Sequence, residues 1–172
     1  MNNFKLRLLK KLIYTAIGML WLALAVGVFY REFTKFELKG VPLTNSWLPI
    51  EFIKLAHGHV LVLGFAIPIG LAVMVSMLSE LNEREYNRFS TAFWLYLVGA
   101  LGAIFLLIWK GIDYVRYYAH DPSITVDRIE ALLFAGNKAL RASLYGIFHL
   151  TFGVGLLWFT VLFLKVFGKQ GG

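Results

Sequence analysis

Hydrophobic positions along the chain fall into four long runs separated by shorter polar segments. The runs are roughly Leu12–Tyr30, Ile50–Ser79 with its apolar part from Leu55, Phe89–Trp109 continuing to Tyr117, and Ala142–Phe167. Each is long enough to supply the roughly 20 residues that a helix needs to cross a bilayer core of about 30 Å. No acidic residue lies in the central apolar part of any run. The pattern predicts four transmembrane helices, at about residues 9–33, 50–79, 89–117 and 138–167.

The segments between these runs predict how the helices are connected. The first connection is the longer one and contains the turn formers Pro42, Asn45, Ser46 and Pro49, with Trp47 at the expected membrane interface. The second connection, residues 80–88, is short and charged. Fairly short connections between four helices favour an up-down-up-down bundle. The fold class is therefore predicted as all-α, with residues 1–172 forming a single transmembrane domain.

The third connection is predicted to contain a short interfacial helix at about residues 124–135. Asp127 and Glu130 have the spacing of a capping box, which marks the beginning of a helix. Ile129, Leu132 and Leu133 then fall on one face. We expect this short helix to lie along the membrane surface.

Composition limits the chemistry that this chain can perform. Of its 172 residues, 59% are hydrophobic and only 16% are charged, whereas soluble domains have about 25% charged residues. The chain has no cysteine, which excludes disulfides, thiolate zinc sites, iron–sulfur clusters and covalently attached haem. Histidine is left as the strong nitrogen ligand. The net charge of +7 is divided among segments that flank the apolar runs, so we expect a lipid bilayer as partner and no nucleic acid.

The N-terminal charges indicate an orientation in the cell (inner) membrane. Lys5, Arg7, Lys10 and Lys11 precede the first run and favour cytoplasmic placement of both termini in a protein with four spans. The first run continues without interruption to Tyr30, so it is interpreted as a retained helix and not as a cleaved signal peptide.

Three histidines within the apolar runs are the main candidates for cofactor and metal binding. His57 and His59 lie in the second run and His149 lies in the fourth. An imidazole in hydrocarbon needs a partner, a proton-relay role or a metal. His59 comes five residues after Lys54 and His149 eight after Arg141, so both should lie at a similar depth on the extracytoplasmic side. A flat cofactor between helices two and four would take one axial imidazole from each helix.

Helical geometry prevents His57 and His59 from serving the same iron. Residues at i and i+2 are about 200° apart around a helix, so one histidine must point to another helix, a second cofactor or a neighbouring subunit. The sequence leaves open which one pairs with His149. Gly146 and Gly153 flank His149 at helical spacing, which makes room for a porphyrin or lets helices pack closely. Gly99 in helix three is interpreted as a packing residue.

Basic residues near the predicted outer surface are candidates for binding the haem propionates. They are Lys110, Arg116 and Arg141. Lysine and arginine bind carboxylates through charge-assisted hydrogen bonds. The alternative for Lys110 and Arg116 is a local charge ladder with Asp113 at the end of helix three. His120, beside Asp121 and Pro122, is interpreted as a solvated loop residue.

The segment Tyr30-Arg31-Glu32-Phe33-Thr34-Lys35-Phe36 resembles the signature of a family of small bacterial and archaeal membrane proteins of unknown function. The resemblance extends to the His-x-His run at residues 57–64, to Lys110-Gly111-Ile112 and to His149. It covers nearly the whole chain and implies a four-helix membrane protein.

The stretch Ala56-His57-Gly58-His59 is similar, more distantly, to the His-Gly-His of haem- and copper-containing membrane proteins linked to nitric-oxide tolerance. It is also similar to the catalytic subunit of haem–copper oxidases, where a His-x-His pair points to two different haems. The chain is far shorter than that subunit and has no recognisable three-histidine copper site. The resemblance therefore implies haem-binding helices and not oxygen reduction.

The sequence thus predicts a cytochrome-like protein that binds haem b, with one or two haems per chain. One-electron transfer, with quinone or a respiratory protein as partner, is the expected function, and an open axial position would instead favour binding of a diatomic gas. No catalytic residue is assigned. The alternatives are a cofactor-free structural or accessory subunit and, ranked last, a small proton pathway or transporter. A homodimer is also expected, because four helices offer little surface to enclose a macrocycle.

Overall fold

The computed structural model describes residues 3–41 and 55–170, and all regular secondary structure there is helical. Four helices are long: α1 (Asn3–Glu37), α2 (Leu55–Ser76), α3 (Glu83–His120) and α5 (Lys138–Gln170). A short helix α4 (Val126–Leu132) and a 3₁₀ turn (Leu133–Gly136) connect α3 to α5. Each long helix is long and apolar enough to span a membrane. The all-helical class and the four long apolar helices are therefore confirmed.

The helix ends differ from those predicted, because the apolar runs mark the hydrophobic part of each helix and not its full length. α1 begins at Asn3 and α3 begins at Glu83, each six residues before the predicted position. At the start of α3, the Asn82 side chain accepts from the Glu85 N–H at 2.9 Å and the Glu85 carboxylate accepts from the Asn82 N–H at 3.0 Å. This capping box sets the beginning of α3. The predictions for residues 42–54, including the turn formers and Trp47, lie outside the described residues.

α3 is the central helix, with α1 and α2 packed together on it and α5 lying along it. Two glycines allow the backbones of α3 and α5 to approach closely. A Cβ atom at Gly99 would lie 2.9 Å from the Cα of Phe152, and one at Gly155 would lie 2.7 Å from the Cα of Tyr96. Such spacing is possible only for glycine, so the interpretation of Gly99 as a packing residue is confirmed.

The hydrophobic core lies at the end of the molecule where α2 connects to α3. It contains aromatic and aliphatic side chains from all four long helices, among them Leu8, Leu12, Leu71, Val75, Phe89, Phe93, Tyr96, Phe159 and Phe163. The buried residues of α5 all belong to its second half: Gly155, Phe159, Leu162, Phe163 and Val166. No residue from 138 to 154 is buried. The half of α5 that carries His149 therefore presents most of its surface outward.

A proline interrupts the hydrogen bonding of α2 at a defined place. Residues Val60–Ala66 form a π-helical stretch in which the Ile67 N–H donates to the Val62 carbonyl, five residues back. The next donor in this pattern would be Pro68, which has no N–H, so the Leu63 carbonyl loses its partner. The hydroxyl of the buried Tyr96, on α3, donates to that carbonyl. The side chain from α3 thus completes the backbone hydrogen bonding of α2.

The C-terminal end of α2 is capped by a buried lysine from α1. The Lys5 ammonium donates to the Ser76 carbonyl at 2.9 Å and to the Leu78 carbonyl, and the residue is only 9% exposed. A cation at a helix C-terminus satisfies orphan carbonyls and complements the helix dipole.

We expect Lys5→Met to lower the free energy of unfolding by about 1.5–3 kcal/mol, since hydrogen bonds from a charged donor contribute about that much. Thermal unfolding in detergent measures the change. Lys10→Met is the matched control, because Lys10 is exposed on the same helix. Equal melting temperatures for the two variants would show that Lys5 does not cap α2.

The beginning of α4 corrects one prediction for the third connection. Thr125 is the N-cap, and its side chain accepts from the Arg128 N–H, so the predicted capping box of Asp127 and Glu130 is wrong. The position of α4 along the membrane surface stays a prediction, and Ile129 and Leu133 of its apolar face pack against α3. These two residues are buried in one cluster with Tyr114 of α3. The side chain of Glu130 is used elsewhere, in ion pairs described below.

Candidate cofactor site

His57 faces α1. Its Nδ1 lies 2.8 Å from the Ala23 carbonyl, and a Cβ atom at Gly27 would lie 3.2 Å from the same nitrogen. A carbonyl oxygen only accepts, so Nδ1 of His57 carries the hydrogen and donates it. Gly27 leaves the space that the imidazole ring occupies. This hydrogen bond joins α2 to α1, and it orients His59, two residues later, away from α1.

His59 and His149 share a different arrangement. Both are exposed, and each places Nδ1 against the carbonyl four residues earlier in its own helix: Leu55 at 2.7 Å and Tyr145 at 2.8 Å. Each Nδ1 therefore carries the hydrogen, and in the neutral imidazole this leaves the lone pair on Nε2. Histidines that bind metals commonly donate the other ring N–H to a carbonyl in this way, which fixes the tautomer and the ring orientation.

Two contacts place His59 and His149 at a similar level. At one end of the bundle, the Gln170 side chain accepts from the Ser79 N–H at 2.7 Å and donates to the Glu80 carbonyl at 2.8 Å. His149 precedes Gln170 by 21 residues and His59 precedes Ser79 by 20. Nearly equal numbers of residues therefore separate the two histidines from this shared contact.

The second contact is the side chain of Tyr96, which reaches from α3 toward both helices. Its hydroxyl binds the Leu63 carbonyl of α2, and its ring packs edge-on against Phe152 of α5 at 6.5 Å between centroids. His59 lies four residues before Leu63, and His149 lies three residues before Phe152. Both histidines are therefore about one helical turn beyond the same tyrosine.

Small residues leave open space around both histidines. Among the described residues, no atom lies within 4 Å of the position that a Cβ would take at Gly58, Gly146 or Gly153, apart from the two adjoining residues and the local helix backbone. The ring of Phe152 packs 5.3 Å from that of His149, and Leu150 is 69% exposed. An imidazole flanked by an aromatic ring and empty glycine positions suits a flat apolar ligand.

Two of the predicted propionate partners are already paired with a carboxylate. Lys110 Nζ lies 2.5 Å from Glu130 Oε1, and the Arg141 guanidinium pairs with Glu130 Oε2. The buried hydroxyl of Tyr114 also donates to Glu130. A propionate at Lys110 or Arg141 would have to compete with this carboxylate. Sequence reasoning missed the role of Glu130, because the pairing joins three helices that only the fold brings together.

Arg116, the third predicted partner, lies on another side of α3. Its guanidinium lies 5.9 Å from the ring centroid of Phe33, at the end of α1. Asp113 accepts a hydrogen bond from the Trp109 indole at 2.8 Å. The structure therefore brings together Lys110 and Arg141, but it does not gather the three basic residues at one place.

Glu130 remains ionised over a wide pH range. Partial burial by itself would raise the pKa of this carboxyl, but hydrogen bonds from Lys110 and Tyr114 and the charges of Lys110 and Arg141 outweigh it. The net effect holds the pKa of Glu130 below its usual value. The carboxylate thus ties α4 to the end of α3 and to the first turn of α5.

We expect Glu130→Gln to lower the free energy of unfolding at neutral pH by about 1 kcal/mol, and therefore to lower the melting temperature. A carboxyl with a depressed folded pKa stabilises the fold above its unfolded pKa of about 4.3, and this stabilisation is lost as pH falls through the folded pKa. The difference in melting temperature between Glu130→Gln and the unmodified protein should therefore become smaller in acid. Thermal unfolding from pH 7 downward measures it, with the exposed Asp127→Asn as control. A melting-temperature difference independent of pH would contradict the stabilising role of the ionised Glu130 carboxylate.

The described part of the chain contains no group of three or more histidine, aspartate or glutamate side chains that could hold a metal ion. A metal site built from protein ligands alone is thus not evident in residues 3–41 and 55–170. Haem binding requires fewer protein ligands, because the porphyrin itself supplies the equatorial nitrogen ligands and the protein needs to supply only the axial ones.

A family model described as "Protein of unknown function (DUF2871)" matches residues 9–166. The chain belongs to this family. The matched region contains His57, His59 and His149, so the candidate site lies within the part shared with the family. The predicted membership of a family of unknown function is confirmed, while the relation to haem–copper proteins stays a prediction. Comparisons with curated proteins and with solved structures gave no match.

Proposed function

We propose that this protein is an integral membrane protein of the cell (inner) membrane that binds haem b between α2 and α5, where His59 and His149 would hold the iron. The single observation that carries the proposal is the shared state of these two residues. Both are exposed at one level of the bundle, and both have Nδ1 held by a carbonyl of their own helix. Each Nε2 is thereby left as a ligand.

The chain's own residues would hold the ligands and fix their orientation. The carbonyls of Leu55 and Tyr145 accept from the two imidazoles, which raises the basicity of each Nε2 and restricts rotation of each ring. Gly146 and Gly153 keep the surface beside His149 free of side-chain bulk. The donor set and the open glycine positions therefore fit a haem.

His57 has a different role in this proposal. Its imidazole faces α1, where it donates to the Ala23 carbonyl and lies against Gly27, so in this proposal it positions α2 and does not bind the iron. One pair of ligands per chain favours one haem per chain. Arg116 remains a candidate for a propionate, whereas Lys110 and Arg141 bind Glu130.

A haem with two imidazole ligands supplies one-electron transfer. The proposed partners are quinol within the membrane and a protein acceptor outside it. Four spans would leave both termini on one side, and the basic N-terminal segment favours the cytoplasm. Fusion of a reporter to each terminus tests this orientation.

An absorption spectrum of the detergent-purified protein tests the proposal. Sharp α and β bands on dithionite reduction, with about one haem per chain by pyridine haemochrome assay, are the expected result. The protein should be expressed with added haem precursor. A featureless spectrum under these conditions would reject haem binding.

A second candidate function is that of a cofactor-free accessory subunit. The observation that favours it is the bond from His57 to Ala23, which shows that an intramembrane histidine here can be satisfied by a backbone carbonyl. In that case the exposed half of α5 would contact a partner protein. Absence of haem together with co-purification of a stoichiometric membrane partner would support this alternative.

A further inference from the structure

A groove lies between the first turns of α3 and the second half of α5, away from the histidines. It has a volume of about 620 Å³. Its walls are mostly polar residues of α3 with one aromatic residue of α5: Asn82, Glu83, Arg84, Asn87, Arg88, Thr91 and Trp158. The contact of Gln170 with Glu80 places it at the end of the bundle where α2 connects to α3.

Two arginines give this groove its charge. Arg84 and Arg88 are one helical turn apart, so their side chains lie on the same face of α3. Within the described residues, neither has a carboxylate at ion-pair distance, in contrast to Arg141 and Lys110. Among the described residues that line the groove, Glu83 is the one acidic residue. The groove therefore has a net positive charge, and its two guanidinium groups suit a phosphate.

The polarity of the groove changes along the helix axis. Arg84 and Arg88 come within the first two turns of α3, whereas Thr91 lies about 12 Å from its beginning. Trp158 is 38% exposed and lines the groove from α5. A charged end at the helix start and an indole farther along match the order of phosphate, glycerol and acyl chain in a phospholipid.

We propose that this groove binds an anionic phospholipid, with the phosphodiester at Arg84 and Arg88 and the upper acyl chain beside Trp158. Basic pockets between helices near a membrane surface are typical sites for such headgroups. A free phosphate would use the arginines but would leave the apolar part of the groove without a function. The inference rests on the membrane insertion proposed above and is independent of haem.

Quenching of Trp158 fluorescence by brominated lipids tests the site. The full chain is placed in phosphatidylcholine vesicles that contain a minor fraction of phosphatidylglycerol with dibrominated acyl chains. Moderate salt screens unspecific attraction. The Trp158 signal is the difference between the protein and its Trp158→Phe variant. We expect stronger quenching than by dibrominated phosphatidylcholine at the same fraction.

Removal of the arginines should abolish this preference. Each arginine near the surface is expected to contribute about fivefold to the preference for the anionic lipid. The double variant Arg84→Gln/Arg88→Gln should therefore be quenched equally by both lipids. Lys165→Gln/Lys169→Gln is the matched control, since it removes the same charge from exposed positions of α5 outside the groove and should keep most of the preference. Arg88→Lys should be intermediate.

Three results would overturn the proposal. They are equal quenching of Trp158 by both lipids in the unmodified protein, an equal loss in the lysine and arginine double variants, and relief of quenching by excess inorganic phosphate. The last result would assign the groove to free phosphate. Flotation with the vesicles distinguishes failure of the lipid site from failure of membrane insertion. A protein that does not float is not inserted, and both the insertion proposal and the lipid-site proposal are then rejected.

Discussion

Replacing His149 with alanine is expected to remove the reduced α and β bands and to lower bound haem by more than about tenfold. Loss of groups that only orient a metal ligand costs 10–100-fold in affinity, so loss of the ligand itself should cost at least as much. His59→Ala should have the same effect, because both imidazoles have Nδ1 on a carbonyl and neither Nε2 has a hydrogen-bond partner among the described residues. Haem per chain by pyridine haemochrome assay measures the change.

His57→Ala is the matched control, since it removes an imidazole two residues from His59 on the opposite face of α2. It should keep the haem bands and lower the free energy of unfolding by about 0.6–2 kcal/mol, the range for an interhelical hydrogen bond in a membrane. Retention of full haem in His59→Ala with loss in His57→Ala would reverse the assignment. Retention in all three variants would exclude these histidines as ligands.

The sequence was sufficient to predict the four long apolar helices and the opposite orientations of His57 and His59. It was not sufficient to choose between them, because periodicity gives the angle between two residues and not the rotation of the helix. The proposed choice of His59 rests on one long-range contact, in which Ala23 accepts from His57 and Gly27 leaves room for the ring. The sequence alone does not show why residue 27 lacks a side chain, because the His57 ring reaches it only when α1 and α2 pack together.

Sequence spacing also failed to predict the ion-pair partners of the charged residues. Spacing along α3 suggested that Lys110 belongs to a local ladder or to a propionate, but its partner is Glu130 in α4. Likewise, spacing within the third connection suggested that Glu130 caps its own helix. A carboxylate that has several possible cations within reach is assigned by tertiary packing, which short-range sequence patterns do not contain.

The contact between α3 and α5 should depend on the absence of a side chain at Gly155. A Cβ atom there would lie 2.7 Å from the Cα of Tyr96 and 2.8 Å from the carbonyl oxygen of Ala92. Both atoms belong to the backbone of α3, so no rotamer change relieves the overlap, and the helices must move apart. We expect Gly155→Ala to lower the free energy of unfolding by about 1–3 kcal/mol or more, the range for overpacked sites. Thermal unfolding in detergent measures it.

Gly168→Ala is the control for helix propensity, because Gly168 belongs to the same helix and no atom lies within 4 Å of its added Cβ. That variant should be neutral or more stable by about 0.5–1 kcal/mol, since alanine favours a helix over glycine. Gly155→Ala should also reduce haem content, because separation of α3 from α5 moves Phe152 and His149 away from Tyr96, which holds the Leu63 carbonyl of α2. If Gly155→Ala and Gly168→Ala unfold at the same temperature, α3 and α5 are not in backbone contact at this position.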